Sequence, residues 1–210
     1  MSLFITFEGP DGSGKSTQIE RLADYLSRRG HQVECTREPG GTLIGERIRE
    51  ILHDAGHVEM AGETEILLYS ASRAQLVAQS IRPLLAAGSI VLCDRYADST
   101  YAYQGFGRGF DLSTLQYITH FATGGLQPDL VIYLDLPVEE GLARKQQANA
   151  AGEGEWNRMD RLTLDFHRRA RDGYLSLAQA APHQWHVIDA RQPEDQVHQV
   201  ICEVARSKNL

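Results

Sequence analysis

A chain of 210 residues is long enough for one ordinary domain with a substantial core, and 42% hydrophobic with 23% charged residues is a soluble, globular composition. A formal net charge of −7 lacks the basic footprint of a nucleic-acid binder, although a local arginine cluster can still hold a small anion. No apolar run approaches a membrane span and the first residues carry no basic n-region, so a single cytoplasmic domain over residues 1–210 is expected.

Short apolar segments alternate with longer amphipathic ones, the pattern of an α/β fold with a five-stranded parallel sheet flanked by helices in three layers. The first strand is predicted over Leu3–Phe7, and the helix after it over Lys15–Arg29, with Gly30 as its C′ stop. A second strand over Gln32–Thr36 precedes helices over Leu43–His53 and Glu63–Ala87. Ile90–Asp94 and Leu130–Asp135 follow as strands, with a helix over Leu112–Ala122 between them. The remaining helices are predicted over Val138–Asn149, Arg158–Ala180 and Pro193–Ser207, with a last strand over His186–Asp189. Between two of these helices the segment NAAGEGEWN (149–157) has two glycines and little periodicity, and reads as a surface loop or as a lid over a nucleotide.

The three cysteines have no metal-ligand spacing, which fits a reducing compartment. Cys35 and Cys93 fall in predicted strands and are expected to be buried.

The most specific motif is GPDGSGKS at residues 9–16, a full match to G-x-x-x-x-G-K-[ST] set between a strand and a helix. Its glycines let successive backbone N–H groups turn toward phosphate oxygens, and the helix N-terminus adds positive potential. The segment Gly9, Pro10, Asp11, Gly12, Ser13, Gly14, Lys15, Ser16 and Thr17 is the expected cradle for ATP, with Lys15 on the transferred phosphate and Ser16 on Mg²⁺. GTPases, ATPase motors and sulfotransferases share this loop, so it defines a donor site and no more.

Asp94 ends a strand on the rim that carries the loop, where a carboxylate can hold Mg²⁺ directly or through water, or satisfy backbone donors. Arg37, Arg73 and Arg95 lie in segments that approach that rim, and their planar forks suit an acceptor that itself bears phosphate. Such an acceptor is mostly ionised at neutral pH and needs no general base. A nucleoside hydroxyl would need one, and Asp11 or Glu38 could serve. No Asn-Lys pair occurs, which argues against a guanine-reading switch.

Taken in order, the leading EGPD at 8–11, TREPGGT at 36–42, YSASR at 69–73, DRY at 94–96, STYAYQG at 99–105, Pro128–Asp129 and the YLD of 133–135 closely resemble the thymidylate kinase family over nearly the whole chain. The resemblance implies a P-loop kinase fold and transfer of a phosphoryl group from MgATP to dTMP, by a homodimer. It further implies that Asp11 holds the deoxyribose 3′-OH and that Glu38 and Pro39 form the acceptor loop. Tyr69 would stack on thymine while Arg73, Thr100 and Gln104 read its edge. Tyr103 would crowd the 2′ position, and Arg95 would bridge donor and acceptor phosphates. Some members place an arginine after the loop aspartate; here that residue is Gly12, as in the bacterial type that draws a basic residue from the lid. This lid has none, so Arg158 just after it is the expected substitute, with Arg144 and Lys145 just before it as alternatives. Arg144 and Arg191 are expected to border the adenine. The stripe of Ile66, Leu67, Ser70, Ala74 and Val77 faces either a partner subunit or the sheet.

Overall fold

A computed structural model describes residues 2–208. Five parallel strands, β1 (Leu3–Glu8), β2 (Val33–Arg37), β3 (Ile90–Asp94), β4 (Leu130–Asp135) and β5 (Trp185–Asp189), form one sheet in the order β2-β3-β1-β4-β5. The three inner strands are buried along nearly their whole length, as parallel strands covered on both faces must be. β2 lies at the edge, and this corrects the expectation for Cys35: its side is open to solvent, whereas Cys93 on β3 and Cys202 are buried.

Helices α1 (Lys15–Arg28) and α9 (Glu194–Ser207) cover one face. Leu22 and Leu26 from α1 and Ile201 from α9 pack with Ile5, Leu92, Ile132 and Leu134 of the sheet. Each such side chain contributes about 1.5–3 kcal/mol over its exposed state. Gly30 ends α1 as expected: with φ 88° it turns its N–H back onto Ser27 O at 2.9 Å. The other face is covered by α3 (Gly62–Leu76) and α8 (Leu164–Ala180), with α2 (Leu43–His53) leaning on α3.

The single helix predicted over 63–87 is interrupted. A π-helical turn at Val77–Ile81 separates α3 from α4 (Arg82–Ala86). Pro83 has no N–H to continue the ladder, and the Arg82 N–H reaches back to Val77 O instead. A second departure follows β3. Residues 97–107, unassigned from sequence, form α5 (Ala97–Thr100) and a π-helical turn over Tyr101–Gly107. Glycines and aromatic residues give this stretch weak helix propensity, so packing against α8 holds it. There the Phe166 ring lies against Gly107 and the Phe106 ring against Gly173. α6 (Leu112–Thr123) and α7 (Val138–Ala150) occur where expected. The helix predicted from Arg158 starts later, because residues 159–161 form a 3₁₀ turn and Thr163 caps α8 through a hydrogen bond from Phe166 N.

Candidate active site

All five strands point their carboxyl ends at one rim. From there the connection of β1 leads toward β2 and that of β4 toward β5, which opens a crevice between them. A cleft of about 600 Å³ occupies this rim. Its wall includes Pro10 to Gly12 and Gly14 to Thr17, together with Arg37, Glu38, Pro39, Tyr69, Arg73, Asp94, Arg95, Thr100, Tyr103, Gln104, Arg144 and Lys145. Most of the residues singled out from sequence are thus brought together. Gly9 and Ser13 shape the loop from beneath, and Arg158 and Arg191 lie outside the wall.

The phosphate loop has a backbone that few side chains permit. Gly12 has φ 77°, and a Cβ there would run into the carbonyl of Gly141 on α7. The close approach of α7 therefore leaves no room for a side chain at this position. α1 begins with no side-chain cap and no acidic residue in its first turn, which leaves its N–H groups and dipole available to an anion. Lys15 is only 6% exposed and donates to Gly9 O at 3.2 Å and Pro10 O at 3.1 Å. Burial, with Arg95 nearby, pushes its ammonium pKa down against the pull of Asp94, Asp11 and Glu8.

Ser16 Oγ donates to Asp94 Oδ2 at 3.0 Å, and the buried Asp94 Oδ1 has no partner. An orphaned carboxylate oxygen beside a hydroxyl fits a cation that completes its shell with water and substrate oxygens, as Mg²⁺ does. Among the described residues no group of three or more His, Cys, Asp or Glu is placed to hold a metal ion.

Arg95 is the one non-glycine residue with positive φ (70°) among those described, a strained conformation held by its surroundings. Beneath it Glu8 is fully buried, and it accepts from Tyr96 N, Ser99 Oγ and Tyr174 Oη at 2.7–2.8 Å. The guanidinium of Arg95 donates to Asp11 Oδ1 at 2.5 Å and lies over the Tyr103 ring at 5.3 Å. Lys145 reaches the other Asp11 oxygen at 2.5 Å and Asp160 at 2.8 Å. Burial opposes the charge on Asp11, but Arg95, Lys15 and Lys145 outweigh it and hold the carboxyl well below its usual range.

Arg73 is 1% exposed on α3 and makes three tethers: Nε to Glu38 Oε2 at 2.8 Å, and Nη2 to Tyr96 O and Thr100 Oγ1 at 3.1 Å. Its Nη1 and the opposing Glu38 Oε1 are buried without partners. A spare donor and a spare acceptor on a cleft wall are what a polar ligand edge requires. Burial raises the Glu38 pKa to about 7, although Arg73 pulls it down. Arg37 reaches Pro39 O at 2.9 Å and Glu46 at 2.8 Å, which holds the acceptor loop in shape.

Arg144 spans from Gly12 O to Ala190 O, both at 3.4 Å, and so links the phosphate loop to the turn after β5. Arg191, next in that turn, is exposed and engaged with Asp189. Arg158, expected as the charge that enters the cleft on closure, is buried here, donating to Glu65 Oε2 at 2.6 Å and Leu52 O at 3.2 Å just after the 149–157 segment. Lys145, named beside Arg158 as a source of that charge, lines the cleft and pairs with Asp11 and Asp160. Sequence reasoning passed over Glu65, to which no motif draws attention, and treated Glu8 only as a leader to the loop.

A cleft that combines a glycine-rich phosphate loop, a buried lysine and arginines paired with carboxylates is suited to handling phosphorylated nucleotides. It places the molecule among the P-loop nucleotide kinases. The family model described as thymidylate kinase matches residues 7–201. A thymidylate kinase of Roseiflexus sp. (strain RS-1) is 55% identical over 91% of this chain and 88% of its own length. That of Syntrophotalea carbinolica is 47% identical over 100% and 98%. The crystal structure of thymidylate kinase from Ehrlichia chaffeensis superposes with a TM-score of 0.77 at 35% identity, with 98% of each chain covered. The chain belongs to the thymidylate kinase family.

Proposed function

We propose that this chain transfers the γ-phosphoryl group of MgATP to dTMP, giving ADP and dTDP on the route to dTTP for DNA synthesis. The observation that carries the reading is the spare Nη1 of buried Arg73, which offers a donor to a base carbonyl in the cleft that holds the phosphate loop. Tyr69 supplies a ring one turn before Arg73 on α3, and Tyr103 stands beside Arg95 where a 2′-hydroxyl would have to fit. Arg37, Glu38 and Pro39 close the acceptor side of the cleft, while Arg144, with Arg191 beyond it, borders the adenine.

The acceptor phosphate is its own nucleophile, because its second pKa near 6 leaves an oxygen ionised at neutral pH. That oxygen bonds to Pγ while the bond from Pγ to the bridging oxygen breaks, and ADP leaves with the electron pair. Arg95 holds both phosphates in line and Lys15 balances the charge on the transferred group, so catalysis is positioning and electrostatics. Asp11 fixes Arg95 and Lys145 and accepts from the sugar hydroxyl. Ser16 and Asp94 would hold Mg²⁺, which supplies positive charge to the phosphate oxygens.

ADP release measured with dTMP, dUMP, dCMP and thymidine as acceptors tests this reading. Preference for dTMP is expected, and turnover of thymidine without dTMP would sink it. Lys145→Ala should lower kcat about 100-fold, because Lys145 lines the cleft and pairs with Asp11 of the phosphate loop, and it should also lower the melting temperature, since buried Asp160 loses its cation. Arg158→Ala should lower the melting temperature with little change in kcat, since it leaves buried Glu65 one cation short. Equal kcat losses in both would undo the assignment.

A homodimer in the cytoplasm completes the reading. The apolar stripe along α3 and the turn after it divides, with Ile66, Ser70 and Val77 buried and Leu67 exposed. Tyr117 and Phe121 of α6, which packs on α3, are exposed as well, the latter 84%. A light-scattering mass of one chain would refute the dimer. No helix among the described residues is long and apolar enough to cross a membrane, and the free thiols suit a reducing compartment.

A further inference from the structure

We propose that Glu65 is a specificity-positioning residue, whose carboxylate turns the Gln104 amide so that the site accepts a pyrimidine with a ring N–H and turns away cytosine. The proposal rests on the dTMP reading and names how that base is chosen.

Glu65 is 0% exposed and sits one helical turn before Tyr69 and two before Arg73 on α3. Three arms from two distant segments converge on it. Gln104 Nε2 donates to Oε1 at 2.7 Å, Arg108 donates through Nε and Nη2 at 2.8 and 2.7 Å, and Arg158 Nη2 donates to Oε2 at 2.6 Å. Burial raises the pKa of such a carboxyl, but these donors outweigh it and the net direction is downward. An ionised carboxylate only accepts hydrogen bonds. The Gln104 side chain therefore has one permitted orientation, with its NH₂ toward Glu65 and its carbonyl left for the cleft that it lines.

The same wall carries the spare donor Nη1 of Arg73. Arg73 Nη1 and the Gln104 carbonyl then offer one donor and one acceptor, beside the spare Glu38 Oε1. Thymine complements them with O4 and N3–H. Cytosine presents an amino donor and an unprotonated N3 in their place, and both contacts turn repulsive or unmade. Arg73 is a fixed donor in every state, whereas an amide reads either way unless something orients it. Glu65 supplies that orientation, and its two arginines keep it charged.

The test is the ratio of kcat/KM for dTMP over dCMP in the full-length enzyme, a quantity independent of how much of a sample is folded. Glu65→Gln offers NH₂ as well as a carbonyl to Gln104 and frees the amide to reverse. The expected result is a fall of about tenfold or more in the ratio, carried mainly by KM. Gln104→Met should lower the ratio by a similar factor, and adding Glu65→Gln to it should lower it no further. An unchanged ratio in Glu65→Gln, or in Gln104→Met alone, overturns the proposal, as does an additive loss in the double variant. If Glu65→Gln yields no folded protein, Glu65→Asp, which withdraws the carboxylate from the Gln104 amide, takes its place in the same comparison, and an unchanged ratio there overturns the proposal equally. Failure of the parent enzyme to use dTMP would instead defeat the functional reading.

Discussion

Lys15→Met is expected to reduce kcat by about a thousandfold or more while dTMP binding and folding persist. Lys15 is a buried ammonium at the mouth of the α1 dipole, and its Nζ lies on the Gly9 and Pro10 carbonyls where the transferred phosphate must pass. Arg95 and Lys145 reach the site from the Asp11 side, each 2.5 Å from that carboxylate, and neither sits on the Gly9 and Pro10 carbonyls, so neither takes the place of Lys15. Methionine has nearly the same length and removes only the charge. Because the fold lowers the ammonium's pKa, chiefly by burial, the charged form is disfavoured in the folded state. Removing it should leave the melting temperature unchanged or raise it. The acceptor residues Glu38 and Arg73 make no contact with Lys15, so the Kd for dTMP should hold within about twofold. Single-turnover rates, calorimetric dTMP titration and a melting curve separate these effects. A kcat within about tenfold of the parent would remove Lys15 from the transfer step.

Local chemistry was readable in the sequence; the geometry that joins distant segments was not. The phosphate loop declares itself because its eight residues are contiguous and strand and helix flank it. Asp94 could be placed because a strand end in a parallel sheet has only one rim to face. The setting of Arg158 was not legible because its partner Glu65 lies 93 positions away, and a lone arginine after a loop carries no mark of the carboxylate it will meet. Glu65 was invisible for the same reason: on α3 it reads as one more solvated acid in the first turn, yet three donors bury it. The turn over 101–107 was missed since its helicity comes from packing on α8 and not from propensity. Edge placement of β2 was equally unreadable, because strand order is set by crossovers and not by the strand's own residues.

Arg73→Ala should produce the second large effect and leave the opposite signature, a rise of about 10- to 100-fold in KM for dTMP with kcat at saturation nearly kept. Hydrogen bonds from a charged donor contribute about 1.5–3 kcal/mol each, and Arg73 holds one unspent donor for the base. Stability falls too, by about 3–5 kcal/mol, because Glu38 loses the guanidinium that pairs with it at 2.8 Å. The pH dependence identifies the cause. Glu38 already titrates at about 7 instead of its ordinary 4.5, so its contribution to stability is complete below 4.5 and is lost as pH rises through 7. Without Arg73 the folded pKa climbs further, and the deficit in melting temperature against the parent should widen as pH rises above neutrality. A double change, Arg73→Met with Glu38→Met, removes both members of the pair and should recover most of the lost stability, yet not dTMP affinity. Recovery of affinity in the double variant would show that Arg73 serves only the fold. An unchanged KM in Arg73→Ala would mean that the base is read elsewhere.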